Sequence, residues 1–125
     1  MTKTTATALN IARLYVEAIV NKDIDTIVSI SNEDVVCTSP IGQITGSERF
    51  RHFHAGFAQM TTKLTVLAVY GDEQQAVVVY DAEMQPVPHS LVAELIRIRD
   101  GKIASTDVVY DATPFAAYMA TAQPH

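Results

Sequence analysis

From Leu64 onward the chain is a succession of apolar, β-branched runs interrupted only by turn-forming residues, and this half limits the fold most. Leu64 to Tyr70 stops at Gly71-Asp72, a turn signal. Ala76 to Glu83 and Leu91 to Ile98 follow, separated by Pro86-Val87-Pro88, which cannot sit inside a central strand because proline lacks the ladder donor. Arg99-Asp100-Gly101-Lys102 reads as a hairpin turn, and Ile103 to Tyr110 as the last strand. Val77, Val78 and Val79, and later Val108 and Val109, put apolar side chains on both faces, so both faces should be covered.

The first half has helical period instead. Ala8, Ile11, Ala12, Tyr15, Ala18 and Ile19 form one buried stripe of a helix expected from Thr5 to Val20. Asp23 can cap a short second helix, Ile24 to Ile30, which Asn32-Glu33-Asp34 should end. Val35 to Ser39 reads as a short strand broken at Pro40. Thr45 and Glu48 have capping-box spacing, so a third helix should begin at Gly46 or Ser47, with Phe50, Phe53, His54 and Phe57 as its stripe. Three helices followed by long antiparallel strands make an α+β protein. The expected architecture is one domain, residues 1–125, with the helices packed in the concavity of a curved, mainly antiparallel sheet.

Composition removes several classes of function. The formal net charge is −5 and Arg49, Arg51 and Lys63 are diluted by acidic neighbours, so the counterion release that drives nucleic-acid binding has no source. Anionic membrane surfaces are disfavoured likewise. No apolar run approaches the about 20 residues that span a bilayer, and Met-Thr-Lys-Thr-Thr-Ala lacks the apolar core of a secretory signal. The single Cys37 excludes an intramolecular disulfide and fits a reducing compartment, so a cytoplasmic location is expected. His52 and His54, spaced i, i+2, diverge on a helix and make no metal pair. With no P-loop or dinucleotide fingerprint either, neither metal nor cofactor is expected. His89 is placed at a rim or in a loop, and His125 at a mobile end.

Five short strings carry a resemblance. Leu14-Tyr15-Val16-Glu17-Ala18 precedes Lys22-Asp23-Ile24-Asp25-Thr26-Ile27-Val28; Thr38-Ser39-Pro40-Ile41-Gly42, Gly46-Ser47-Glu48-Arg49-Phe50 and Asp100-Gly101-Lys102-Ile103 come after. In this order they resemble the nuclear-transport-factor-like superfamily, within it ketosteroid isomerase and SnoaL-like, polyketide cyclase-like proteins. The resemblance implies a cone-shaped domain with a hydrophobic small-molecule pocket. It also implies that Tyr15 stands at the oxyanion-hole tyrosine, Glu94 at a protonated oxyanion-hole acid, and His54 at a second tyrosine that bonds the first. Ser39 stands where the general-base aspartate belongs, and a serine hydroxyl cannot be that base at neutral pH. Val108 takes the position of an acidic pocket residue on the last strand. Asp107 is one residue off and turns to the opposite face, toward solvent or a subunit interface.

The residues themselves support two readings. Glu94 interrupts an otherwise buried strand, and a desolvated glutamic acid holds its proton and can donate it to a hydrogen bond. Ketosteroid isomerase is the standard example of a carboxylic acid kept neutral in this way. Alternatively Glu94 pairs with Arg97 or Arg51 at the sheet surface. A buried Tyr15 needs a hydroxyl partner, and His54 could serve as acid or base or simply be a satisfied core group. In the enzymatic reading Tyr15, His54 and Glu94 act on a hydrophobic carbonyl or enol compound in isomerase-, cyclase- or lyase-type chemistry. Ser39, Cys37, Phe53, Phe57, Ile96, Val108 and Tyr110 would then line its pocket. In the other reading the three form an internal network of a non-catalytic ligand-binding or interaction module. A homodimer through the outer sheet face is expected in either case.

Overall fold

The computed structural model describes residues 7–85 and 87–122. Helices α1 (Ala8–Val20) and α2 (Ile24–Ser29) lead into β1 (Ser31–Ser39) and β2 (Gly42–Thr45). Helix α3 (Ser47–Met60) is followed by β3 (Thr61–Gly71), β4 (Gln75–Met84), β5 (Ser90–Arg99), β6 (Lys102–Val109) and α4 (Thr113–Ala122). The six strands form one sheet in the order β2-β1-β6-β5-β4-β3. Only β1 and β6 are parallel; the other neighbours are antiparallel. The result is the curved α+β cone that the sequence leads one to expect.

Local chemistry fixes the elements. Thr7 caps α1 by accepting from the Asn10 amide at 3.2 Å, and Asp23 caps α2 by accepting from Thr26 at 3.2 Å. Asp100 and Gly101 adopt φ of 56° and 74°, the paired positive values that a tight hairpin needs. Ala8, Ile11, Ala12, Tyr15, Val16, Ala18 and Ile19 are the buried face of α1, packed against the strands. Along β4 the even-numbered residues Ala76, Val78, Tyr80, Ala82 and Met84 are buried, so this face points into the cone. Its odd-numbered residues point outward.

Several boundaries differ from the expectation. The proposed start at Thr5, part of the Pro86-Val87-Pro88 break, and His125 lie outside the described residues. Asn32-Glu33-Asp34 belongs to β1, because Ile30 already ends α2 and the chain pairs directly with β6. Thr45 is not a cap: it is the end of β2, and Gly46 at φ 102° precedes α3 without a side-chain cap bond. Strand β2 and helix α4 were not expected at all. Among the described residues no helix is long and apolar enough to cross a membrane.

Candidate functional site

Four side chains from four elements meet inside the cone. Tyr15 of α1 donates to Glu94 Oε1 of β5 at 2.6 Å, and the Tyr80 hydroxyl of β4 bonds Glu94 Oε2 at 2.5 Å. Helix α3 brings His54 Nε2 to 3.0 Å from the Tyr15 hydroxyl. The direction of this bond follows the imidazole tautomer: with the Tyr15 proton on Glu94, Nε2–H donates to Tyr15 and Nδ1 is the acceptor nitrogen. The rings of Tyr15, Phe50 and Phe53 each meet His54 edge-on, at centroid distances of 5.4, 4.6 and 5.3 Å. These contacts hold the imidazole against rotation.

Burial sets the electrostatics of the cluster. Tyr15 is fully buried, and Glu94, Tyr80 and His54 nearly so. Desolvation pushes the Glu94 carboxyl up, against the lowering effect of the two tyrosine bonds. Desolvation also drives His54 down to about 3, so its imidazole is neutral at physiological pH. Tyr15 and Tyr80 are raised by desolvation first and by the neighbouring carboxyl second. No arginine takes part. Arg51 pairs with Asp25 at 2.8 Å and Arg97 with Asp107 at 2.7 Å, so the alternative surface pairing of Glu94 is not what the structure shows.

Beside the cluster lies a cavity of about 390 Å³, within the range of small-molecule sites. Phe53, Phe57, Met60, Met84, Val92 and Val108 supply much of its wall, with Tyr110, Ala112, Phe115 and Ala116 from the last strand's end and α4. Its polar side chains are His54, Tyr80, Ser90 and Tyr110.

Each residue expected at a site can now be located. Phe53, Phe57, Val108, Tyr110 and His54 border the cavity; Tyr15 and Glu94 sit behind its wall. Ile96 and Cys37 are buried deeper and do not border it. Desolvation raises the Cys37 thiol to about 11, which keeps it protonated and unreactive. The Ser39 hydroxyl is tied into the β1–β2 turn, donating to Gly42 O at 3.4 Å and accepting from the Ile41 amide at 3.3 Å. Asp107 faces outward, as its register requires.

Tyr80 is the residue sequence reasoning missed. The register reveals it: Val78 pairs with Glu94 across β4–β5, so Tyr80, two residues along on the same face, is the acid's diagonal neighbour. On the outer face Asp81, Glu83 and His89 bring donor atoms within 4.8 Å of one another, the described group able to hold a metal ion. There His89 Nδ1 already bonds Asp81 at 2.9 Å.

Comparison with known proteins agrees with this architecture. The profile of the SnoaL-like domain matches residues 12–106. A crystal structure of a protein from Kribbella flavida DSM 17836 is 34% identical, covers 94% of this chain and 97% of its own, and superposes with a TM-score of 0.85. An NTF2-like protein from Cytophaga hutchinsonii is 22% identical over 92% of this chain and 99% of its own, TM-score 0.77. An LEH-like epoxide hydrolase from M. tuberculosis is 16% identical over 94% and 92%, TM-score 0.71. A search of curated protein sequences gives no match.

Proposed function

The chain belongs to the SnoaL-like family of the NTF2-like superfamily, and on that premise we propose that its cavity binds a hydrophobic carbonyl or enol compound. The observation that carries this reading is a buried carboxyl, bonded by two tyrosines, directly behind the wall of a mainly apolar cavity that one of those tyrosines borders. The Tyr80 hydroxyl, backed by the buried carboxyl and by Tyr15 behind the wall, can stabilise negative charge that develops on a ligand oxygen. His54 orients Tyr15 and offers the one neutral imidazole in the cavity wall for proton transfer. Such a set suits isomerase-, cyclase- or lyase-type acid/base chemistry.

A thermal-shift series with planar phenols and hydrophobic ketones tests the reading. Ligands that bind only the folded state raise the melting temperature with concentration. The shift should disappear in Ala112→Trp, which fills the cavity from a half-buried loop position. No shift with any compound would overturn it.

One observation favours a second reading, a non-catalytic binding or dimeric module of the same fold. Ser39 holds the expected base position, and its hydroxyl is engaged in the turn. Little turnover of an unsaturated ketosteroid is therefore expected, and a fast rate would sink the Ser39 argument. In both readings the outer sheet face, with Leu91 and Val109 exposed, is the surface for a second copy, and the single buried Cys37 suits a cytoplasmic setting.

A further inference from the structure

We propose that Ser90 is a second anchoring point of the cavity, and that the ligand is an elongated apolar molecule carrying an oxygen at the end away from Glu94. The proposal rests on the reading of the cavity as a ligand site and adds the class of molecule that fits it. Of the polar side chains that border the cavity, His54 and Tyr80 are bonded within the Glu94 network, and Tyr110 has the Ser39 hydroxyl beside it. Ser90 remains. It is only 7% exposed, and among the described residues no hydrogen bond holds its hydroxyl.

Register sets the distance between the two points. Ser90, Val92 and Glu94 alternate along β5 onto the buried inner face, with Ser90 opposite Ala82 and Val92 opposite Tyr80. Four residues of strand separate Ser90 from Glu94, about 13 Å of backbone. Tyr80 leans toward Glu94, since its hydroxyl bonds Oε2, so its polar end lies away from Ser90 rather than beside it. Val92 forms the apolar wall between them.

A hydroxyl enclosed among apolar side chains is costly unless another oxygen or nitrogen meets it. The pairing of Ser90 with Ala82 uses its backbone alone, which leaves the side chain to the cavity. Val92 and Ala112, which share that wall, have no group to bond it. A serine hydroxyl both donates and accepts, so an alcohol, a phenol or a carbonyl oxygen can meet it whatever the ionisation of Glu94. The cavity of about 390 Å³ has room for a rigid molecule of two linked rings.

Calorimetric titration of the wild type and Ser90→Ala with para-phenylphenol and para,para′-biphenol tests the proposal as a two-by-two cycle. In the wild type the biphenol should bind about tenfold more tightly, about twofold because either end can lead and about fivefold for one more hydrogen bond. In Ser90→Ala that advantage should fall to the statistical factor of about two, with para-phenylphenol bound as before. A wild-type advantage no larger than the statistical factor, or a larger one that survives in Ser90→Ala, overturns the inference and leaves the cavity a ligand site. Binding of neither compound overturns both. Should Ser90→Ala fail to fold by circular dichroism, a crystal structure of the wild type with para,para′-biphenol decides. A ligand oxygen within hydrogen-bond reach of the Ser90 hydroxyl supports the proposal, and its absence there overturns it.

Discussion

His54 shows how one residue can be legible in type and opaque in role. Its place on the apolar stripe of α3 marked it as unusual, yet only the structure shows that it bonds the Tyr15 hydroxyl between three aromatic rings. Burial without a charged partner drives its imidazole to about 3, from an ordinary 6.5. Between those values the unfolded chain binds a proton at this residue that the folded chain does not, so stability rises with pH across that window. Glu94 works in the opposite sense, because its folded-state proton is held above the ordinary 4.5 and its contribution fades as pH rises further. Between pH 4 and 7 the slope of the urea midpoint against pH should be more positive in the wild type than in His54→Phe, because only the wild type gains the His54 contribution. Equal slopes would show that His54 does not titrate on unfolding. Glu94 was readable as a buried acid from the strand it interrupts. Tyr80 was not, because a tyrosine in an alternating strand carries no mark of its partner until the β4–β5 register is known.

At the scale of elements, the long strands were visible because alternation and turn residues repeat over eight or more positions. The short and the terminal pieces were not. β2 has four residues, starts at a glycine and is largely exposed, so it carries almost no periodic signal. The start of α4 is marked within a single turn only: Asp111 accepts from the Thr113 amide at 3.0 Å, and Pro114 follows in the first turn. Expecting Thr45 to cap α3 failed because a capping box is a spacing rule, and here the residue is committed to the sheet while Gly46 makes the turn. Gly46 holds φ 102°, which a side chain tolerates poorly although no atom lies closer than 4.0 Å to its missing Cβ. Gly46→Ala should therefore cost about 1–3 kcal/mol from backbone strain alone, read as a lowered denaturant midpoint; an unchanged midpoint would mean the turn can relax. Phe115 tests α4 in a different way. It is half-buried, borders the cavity and packs edge-on against Tyr110 at 5.4 Å. Phe115→Ala should weaken ligand binding severalfold and leave the unfolding midpoint nearly unchanged, whereas the reverse pattern would make α4 a structural brace.

Seen whole, the molecule separates two faces of one sheet. The inner face carries the network and the cavity, and the outer face carries apolar residues alongside the Arg97–Asp107 pair. Leu91 and Val109 are 62% and 64% exposed on that outer face. Val79 lies among them, paired in register with Ala93, which itself pairs with Val109. Val79→Asp should convert a dimer to a monomer in light scattering, and an unchanged mass would remove this face from the interface. The apolar character of both faces was legible from the valine runs; periodicity within one chain does not describe what would meet the outer one.

Whether the Glu94 network serves a ligand cavity is tested most directly by a crystal structure of the protein soaked with 1-tetralone. The ketone ring should lie among Phe53, Phe57 and Val108, with its oxygen within hydrogen-bond distance of the Tyr80 hydroxyl. Density for the ketone only on the outer face, or an oxygen pointing away from Tyr80 and His54, would contradict it.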